Sequence, residues 1–311
     1  MTYSKDEDSF CPTEEYKDYI EFAKYVREYL GAPSSAIWNN RTELREDLIL
    51  ACIGDIFRKN TTKRPVKILD VCCGHASIVG HILQSFYDST LKTSFTENIS
   101  YLGLDQDEIA LGKAREHYQV NEDKFHKLSF VKENVVDLSP RFPDNDKYDI
   151  IIIANCIHEI SPSYYPKLFT TFNNLLEPES GVLYLIDIET SLPESAPECQ
   201  AIVWTRTELT EIINSGGWEA VSTLHPKTKA KVMSFKLEHI KQIDEINLRT
   251  TIAKVLEKKL SAAIDNRNKI PSVGSYNLSY NFEAMQKWIV ATGTIARIAE
   301  EINNIHIDGS K

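Results

Sequence analysis

The sequence predicts an α/β fold: a doubly wound, mainly parallel sheet of about seven strands whose last hairpin is antiparallel, flanked by helical additions. Three observations predict it. Five short β-branched runs, Val66–Val71, Ile99–Leu104, Leu128–Val131, Tyr148–Ala154 and Val182–Ile188, alternate with helical stretches. Each run is almost continuously apolar rather than alternating, which is how strands covered on both faces read. After the last of them a Gly-Gly turn leads into two more strand-like runs, Trp218–Leu224 and Ala230–Leu237, joined by a Pro-Lys-rich turn.

Taken in order, the chain opens with an amphipathic helix over Glu14–Leu30, in which Tyr19, Phe22, Val26 and Leu30 recur at three- and four-residue steps until Gly31-Ala-Pro33 stops the pattern. A second helix runs from an N-cap at Thr42 through Leu48, Cys52 and Ile56 to Phe57, and Lys63-Arg-Pro65 ends it. The strand-helix alternation then begins, with Ile78–Phe86 as the first helix between strands. Thr207 is expected to cap a helix over Glu208–Asn214, closed by Gly216-Gly217. Beyond Glu238 the alternation stops, and Ile240–Ile264 and Glu283–Ile305 read as long helices separated by the Asn/Pro/Ser/Gly-rich stretch Asn266–Asn281. The expected organisation is therefore a helical lid over 1–64, an α/β domain over 65–238 and a helical region over 239–311. Stripes such as Trp288, Ile295, Ile298 and Ile302 fit helices that cover a core, or the seam of a homodimer through the terminal helices.

Composition narrows the function. The chain has 311 residues, 42% hydrophobic and 26% charged, ample for a buried core. Its net charge of −10 opposes sequence-independent attraction to phosphate backbones and anionic lipid, which disfavours nucleic acid as a partner. No apolar run approaches the roughly 18 residues of a membrane helix, and the acidic start Met1–Asp8 lacks a signal-peptide layout, so a soluble, cytoplasmic protein is expected. Six cysteines with no metal-knuckle spacing read as reduced thiols, with no metal site.

The chemistry concentrates at Ile68-Leu-Asp70-Val-Cys72-Cys-Gly74-His-Ala76-Ser77, an apolar strand ending in a carboxylate, a run of small residues, then a helix. Small residues at such a turn let a ligand approach the backbone, and the helix N-terminus offers N–H groups. The next strand ends in Gly103-Leu-Asp105, where an acid can accept from both vicinal hydroxyls of a ribose. Together they point to an adenosine-containing cofactor. A dinucleotide turn needs G-x-G-x-x-G, and here the matching positions are Cys72, Gly74 and Ser77, only one of them glycine.

The same stretch resembles motif I of class I S-adenosylmethionine-dependent methyltransferases, an acid followed by G-x-G-x-G, with Asp70 as the acid and Cys72, Gly74 and Ala76 in the glycine places. The resemblance continues in order from about Leu48 to Glu238. It implies a Rossmann-like sheet, S-adenosyl-L-methionine as cofactor, and a small-molecule or protein acceptor. Tyr101–Arg115 is similar to the family's second strand and helix, which implies that Asp105, beside Gln106, holds the ribose. Phe130–Leu138 is similar to the adenine-binding stretch, with Asn134 where the family commonly has Asp and with the Val135 N–H as a donor to the ring. Tyr148–Ile160 resembles motif IV, which borders cofactor and acceptor and contains Asn155. Glu211–Val221 is similar to the late helix and glycine turn.

Several readings stay open at this level. Asp70 orders the loop around the methionine end or caps the following turn; Asp187 faces the acceptor or is a solvated strand-end acid. Methyl transfer is an in-line attack on a sulfonium carbon, so a general base is needed only when the acceptor must lose a proton in the transition state. Ile157-His158-Glu159-Ile160-Ser161 is similar to the His-Asp segment of plant-type small-molecule O-methyltransferases, where that histidine is the base. His158 and Glu159 are accordingly the candidate catalytic pair, with a pocket or purely structural role for His158 as the alternatives. A catalytically decayed binding or scaffold protein on the same fold is the alternative for the whole chain, motivated by Cys72, Ala76 and Asn134.

Overall fold

The computed structural model describes residues 59, 64–87, 96–138, 142, 146–188, 202–222, 232–269 and 291–305. The two N-terminal helical patterns of the expected lid, with Tyr19, Phe22, Val26 and Leu30, lie outside the described residues, as does Trp288.

Among the described residues seven strands form one sheet in the order β3-β2-β1-β4-β5-β7-β6. They are β1 Val66–Val71, β2 Ile99–Asp105, β3 Lys127–Lys132, β4 Ile150–Ala154, β5 Val182–Ile188, β6 Val221–Ser222 and β7 Val232–Glu238. The pairs from β3 through β5 are parallel, and β7 runs antiparallel to both β5 and β6. β4 is buried at all five positions, as a central strand must be when helices cover both faces, whereas edge strand β3 exposes both ends. The helices are α1 Ser77–Tyr87, α2 Glu108–Tyr118, α3 Tyr165–Leu175, α4 Arg206–Ser215 and α5 Glu245–Lys269, and residues 291–305 are also helical.

Side chains two apart on a strand share a face, and this parity divides the core. Leu69, Val71, Ile151, Ile153, Leu183 and Leu185 pack with α3, α4, α5 and the 291–305 helix. Ile68, Ile150, Ile152, Val182, Tyr184 and Ile186 face the other way, against α1 and α2. The long C-terminal helices thus bury Leu248, Ile252, Leu256 and Ile298 on their own chain's sheet. At the amino ends of the strands, Arg64 makes a two-pronged pair with buried Asp149 at 2.9 and 2.8 Å, and the Lys67 N–H donates to the same carboxylate. The hydrogen bond to Asp149, and after it the charges of Asp149 and Glu177, raise the Arg64 pKa against the opposing effect of burial.

Local boundaries differ from the sequence reading for identifiable reasons. The cap of α4 is Thr205 rather than Thr207, because Thr205 and Glu208 bond each other's backbone N–H groups reciprocally. β4 begins at Ile150, Tyr148 contributing only a bridge to Leu176. The long helix begins at Glu245 rather than Ile240, because the Asn173 side chain holds the Ile240 backbone and Asp244 accepts from the Asn247 N–H. Of the described part of the run Trp218–Leu224, which ends at Ser222, Val221–Ser222 is strand, and the Trp218 indole donates to the Glu238 carbonyl.

Candidate functional site

The chain leaves β1 toward one edge, through β2 and β3, and leaves β4 toward the other, through β5. Their carboxyl ends therefore border the crevice that opens where a doubly wound sheet reverses its strand order. Both turns at this crevice are unusual in backbone terms. Cys72, Gly74 and Ala76 after β1, and Asn155 after β4, all have left-handed φ, from 53° to 57°. For the three non-glycine residues this costs about 1–3 kcal/mol each, a concentration of strain typical of functional turns. A Cβ added at Gly74 would meet nothing within 4 Å. There is room over this turn for a ligand to approach the backbone.

Asp105 ties that turn to β2. One carboxylate oxygen accepts from the Gly74 N–H at 2.7 Å and the other from the Asp107 N–H at 2.8 Å. Each oxygen has a further lone pair, so the carboxylate can still accept from two hydroxyls. Gln106 is exposed beside it. Asn134 and Val135 stand at the carboxyl end of β3. Asn134 is exposed, and its Oδ1 accepts from the Val136 N–H at 3.2 Å, which leaves a second lone pair for a ring amine. Asp70 is buried and accepts from the Tyr101 hydroxyl at 2.5 Å. Burial, then the Asp70 charge, raises the Tyr101 pKa well above its ordinary value, so the phenol remains a donor. Gly103 is required beneath this contact, since a Cβ there would lie 2.9 Å from the Cys73 sulfur.

Asn155 is half-buried and its N–H donates to the Ile186 carbonyl, which fixes the mouth of β4 against β5. Three residues on, His158 meets Asp187 in a two-pronged contact. Nδ1 lies 2.6 Å from one carboxylate oxygen, and the His158 backbone N–H donates to the other at 2.9 Å. Both side chains are fully buried. A carboxylate at Nδ1 selects the tautomer protonated there and leaves Nε2 as the basic nitrogen. Nε2 lies 3.7 Å from Glu159, which is half exposed. Asp187, His158 and Glu159 thus form a line from the interior to the surface. The loop carrying them is anchored from behind: Tyr165 donates to the Ile157 carbonyl at 2.7 Å, and Trp204 donates to Tyr165.

Asp187 is therefore not a solvated strand-end acid. It shares the parity of Leu183 and Leu185 on β5, the face on which Ile157 packs. That parity is the signal that could have singled it out from the sequence. Glu301 is a second buried acid without a sequence signal; it pairs with Arg297 at 2.6 Å and accepts from Ser161, just beyond His158. Burial raises its pKa, although Arg297 and Ser161 pull it down.

The cysteine reading needs one correction. Cys72 and Cys156 are joined as a disulfide rather than held as reduced thiols, their Cα atoms 6.4 Å apart. The physical reason is register: β1 and β4 are hydrogen-bonded neighbours with Val71 opposite Ile153, so residues 84 apart in sequence meet on one rim. Cys73 remains a thiol, buried on the opposite face of the sheet. Among the described residues no group of three His, Cys, Asp or Glu side chains is placed to hold a metal ion, and no helix is long and apolar enough to cross a membrane.

A family profile described as a methyltransferase domain matches residues 69–183, a span that contains the β1 turn, Asp105, Asn134, Asn155 and His158. No curated protein sequence matches the chain. Among solved structures, the DszA carbon methyltransferase is 11% identical, with a TM-score of 0.50, over 71% of this chain and 58% of that one. The magnesium protoporphyrin IX methyltransferase ChlM from Synechocystis PCC 6803, solved with bound SAH, is 13% identical, TM-score 0.46, over 72% and 97% of the two chains. The N-methyltransferase NodS from Bradyrhizobium japonicum WM9 is 10% identical, TM-score 0.45, over 65% and 98%. The crevice at the strand-order reversal, the acid-and-small-residue turn after β1 and the match to a methyltransferase-domain profile coincide on the same residues.

Proposed function

We propose that the protein transfers a methyl group from S-adenosyl-L-methionine to a nucleophilic oxygen or nitrogen of a small molecule or a protein side chain. The observation that carries this reading is the Asp105 carboxylate: it holds the Gly74 N–H at the open β1 turn and keeps a lone pair on each oxygen for the ribose. Gln106 would flank the sugar; Asn134 and the Val135 N–H would read the adenine; the turn Asp70–Ala76 and Asn155 would line the methionine end. The cofactor, when bound, supplies an electrophilic methyl on a sulfonium. The protein's part is to align the acceptor in line with that carbon and, for a hydroxyl acceptor, to take its proton.

The proton has a path. Glu159 reaches solvent and would face the acceptor, His158 Nε2 lies behind it, and Asp187 would stabilise the imidazolium that forms. This arrangement favours an acceptor that loses a proton on methylation, a hydroxyl before a neutral amine. The test is transfer of a labelled methyl group from S-adenosylmethionine to parallel panels of phenols, carboxylic acids, primary amines and peptides. Aryl methyl ether product that falls at least a hundredfold in His158→Gln supports the reading, whereas esters of the already ionised carboxylates should be little affected. Turnover unchanged by both His158→Ala and His158→Gln removes the base role.

A further inference from the structure

The Cys72–Cys156 pair lies where the two turns of the cofactor mouth meet. Cys72 occupies the first small-residue position after β1, and Cys156 follows Asn155 after β4. Both sulfur-bearing residues belong to the core on the His158 face of the sheet, so the bridge fastens the floor of the mouth from below. Each turn holds a non-glycine residue in the left-handed region, Cys72 itself on one side and Asn155 on the other. Such conformations persist only where the surroundings over-determine them, and a covalent tie between the turns supplies that constraint. The pair is shielded from exchange with its neighbour, because Cys73 points into the opposite core beside Gly103. The Cα separation of 6.4 Å lies in the range a disulfide spans without backbone movement, so bond formation and cleavage need no rearrangement of the sheet.

We propose that Cys72 and Cys156 are a reversible oxidation site that controls cofactor affinity. Resting on the reading of this mouth as the S-adenosylmethionine site, the oxidised pair pins the β1 and β4 turns in the binding-ready geometry and reduction loosens them. In the forward step the two thiols lose two protons and two electrons to hydrogen peroxide, whose O–O bond breaks to give two water molecules as the S–S bond forms. In the reverse step a dithiol donates two electrons and two protons, regenerating both thiols and becoming a disulfide itself. Preorganising a loop in its bound conformation raises affinity by removing the ordering cost from the binding step.

The experiment uses the full chain, oxidised with stoichiometric hydrogen peroxide or reduced with dithiothreitol. Peptide mapping without reduction locates the bridge, and calorimetry measures S-adenosylmethionine binding in each state. The expected result is a peptide joining Cys72 to Cys156 after oxidation and a Kd about tenfold weaker after reduction. Cys156→Ala and Cys156→Val, chosen so that at least one keeps the core filled, should bind with the same Kd under both conditions. Serine at Cys11, Cys52 and Cys199 together should preserve the response. A Cys72–Cys156 peptide absent after oxidation overturns the proposal, as does a Kd that differs by less than twofold between states or tightens on reduction. Absence of binding in both states with the bridge present overturns the cofactor reading as well, which separates that failure from failure of the switch alone.

Discussion

Replacing Asp187 by Asn tests the line from the interior to Glu159 most sharply. The carboxylate accepts twice from His158, once from the ring at 2.6 Å and once from the backbone at 2.9 Å, in a fully buried position. An amide can accept on its oxygen alone. If that oxygen keeps the backbone N–H, the NH2 group faces Nδ1, which must then accept, and the imidazole proton moves to Nε2. The nitrogen that should receive the acceptor's proton is then already protonated. A wrongly protonated base forfeits the about 10²- to 10⁴-fold contribution of general base catalysis. Leaving one buried donor poorly satisfied costs about 1–3 kcal/mol of stability, so the variant should still fold. The assay is single-turnover methyl transfer across pH on the hydroxyl acceptor found in the panel, beside calorimetry with S-adenosylmethionine. A fall in turnover of at least a hundredfold, with loss of the rising acid limb and with Kd within threefold of the native protein, is expected. Native turnover with a native pH profile would refute the positioning role of Asp187.

If Asp105 holds the ribose as proposed, Asp105→Ala removes two charge-assisted bonds to it and unties Gly74; at about 1.5–3 kcal/mol per bond to a charged group, S-adenosylmethionine affinity should fall at least a hundredfold by calorimetry. A change under threefold would count against the ribose role. Asp149→Ala leaves Arg64 and the Lys67 N–H without their buried acceptor and should lower unfolding stability by about 2–4 kcal/mol in a urea titration, with cofactor affinity little changed in the folded protein, since the pair sits at the opposite end of the strands from the mouth. Glu301 has a raised folded-state pKa, so the native state binds its proton more tightly than the unfolded chain does. Stability should therefore decline as pH rises from the ordinary carboxylate range through the raised value, and Glu301→Gln should flatten that slope in melts across pH 4–7. An unchanged slope in Glu301→Gln would contradict the assignment.

The frame of the molecule was legible wherever a local rule acts alone. Ile150–Ile153 can only be a doubly covered strand, and Asp70 and Asp105 end strands whose partners follow from the strand-helix rhythm. What escaped depends on contacts between segments distant in sequence. Thr205 outcompetes Thr207 as a cap only because Glu208 is placed to reciprocate. Asp187 is a buried partner of His158 only because β4 and β5 are neighbours and the strand parity turns it toward the same core. Cys72 and Cys156 meet only because β1 and β4 pair in a register that composition cannot reveal. The same holds for Glu301, whose partner Ser161 lies 140 residues earlier in the chain.

The central claim is that the mouth between β1 and β4 takes an adenosyl sulfonium held through its sugar. Calorimetric titration of the oxidised full chain with S-adenosylmethionine and, side by side, with NAD tests it most directly. Saturable one-to-one binding of the first and none of the second is the predicted result. Binding of NAD alone, or of neither compound, would contradict it.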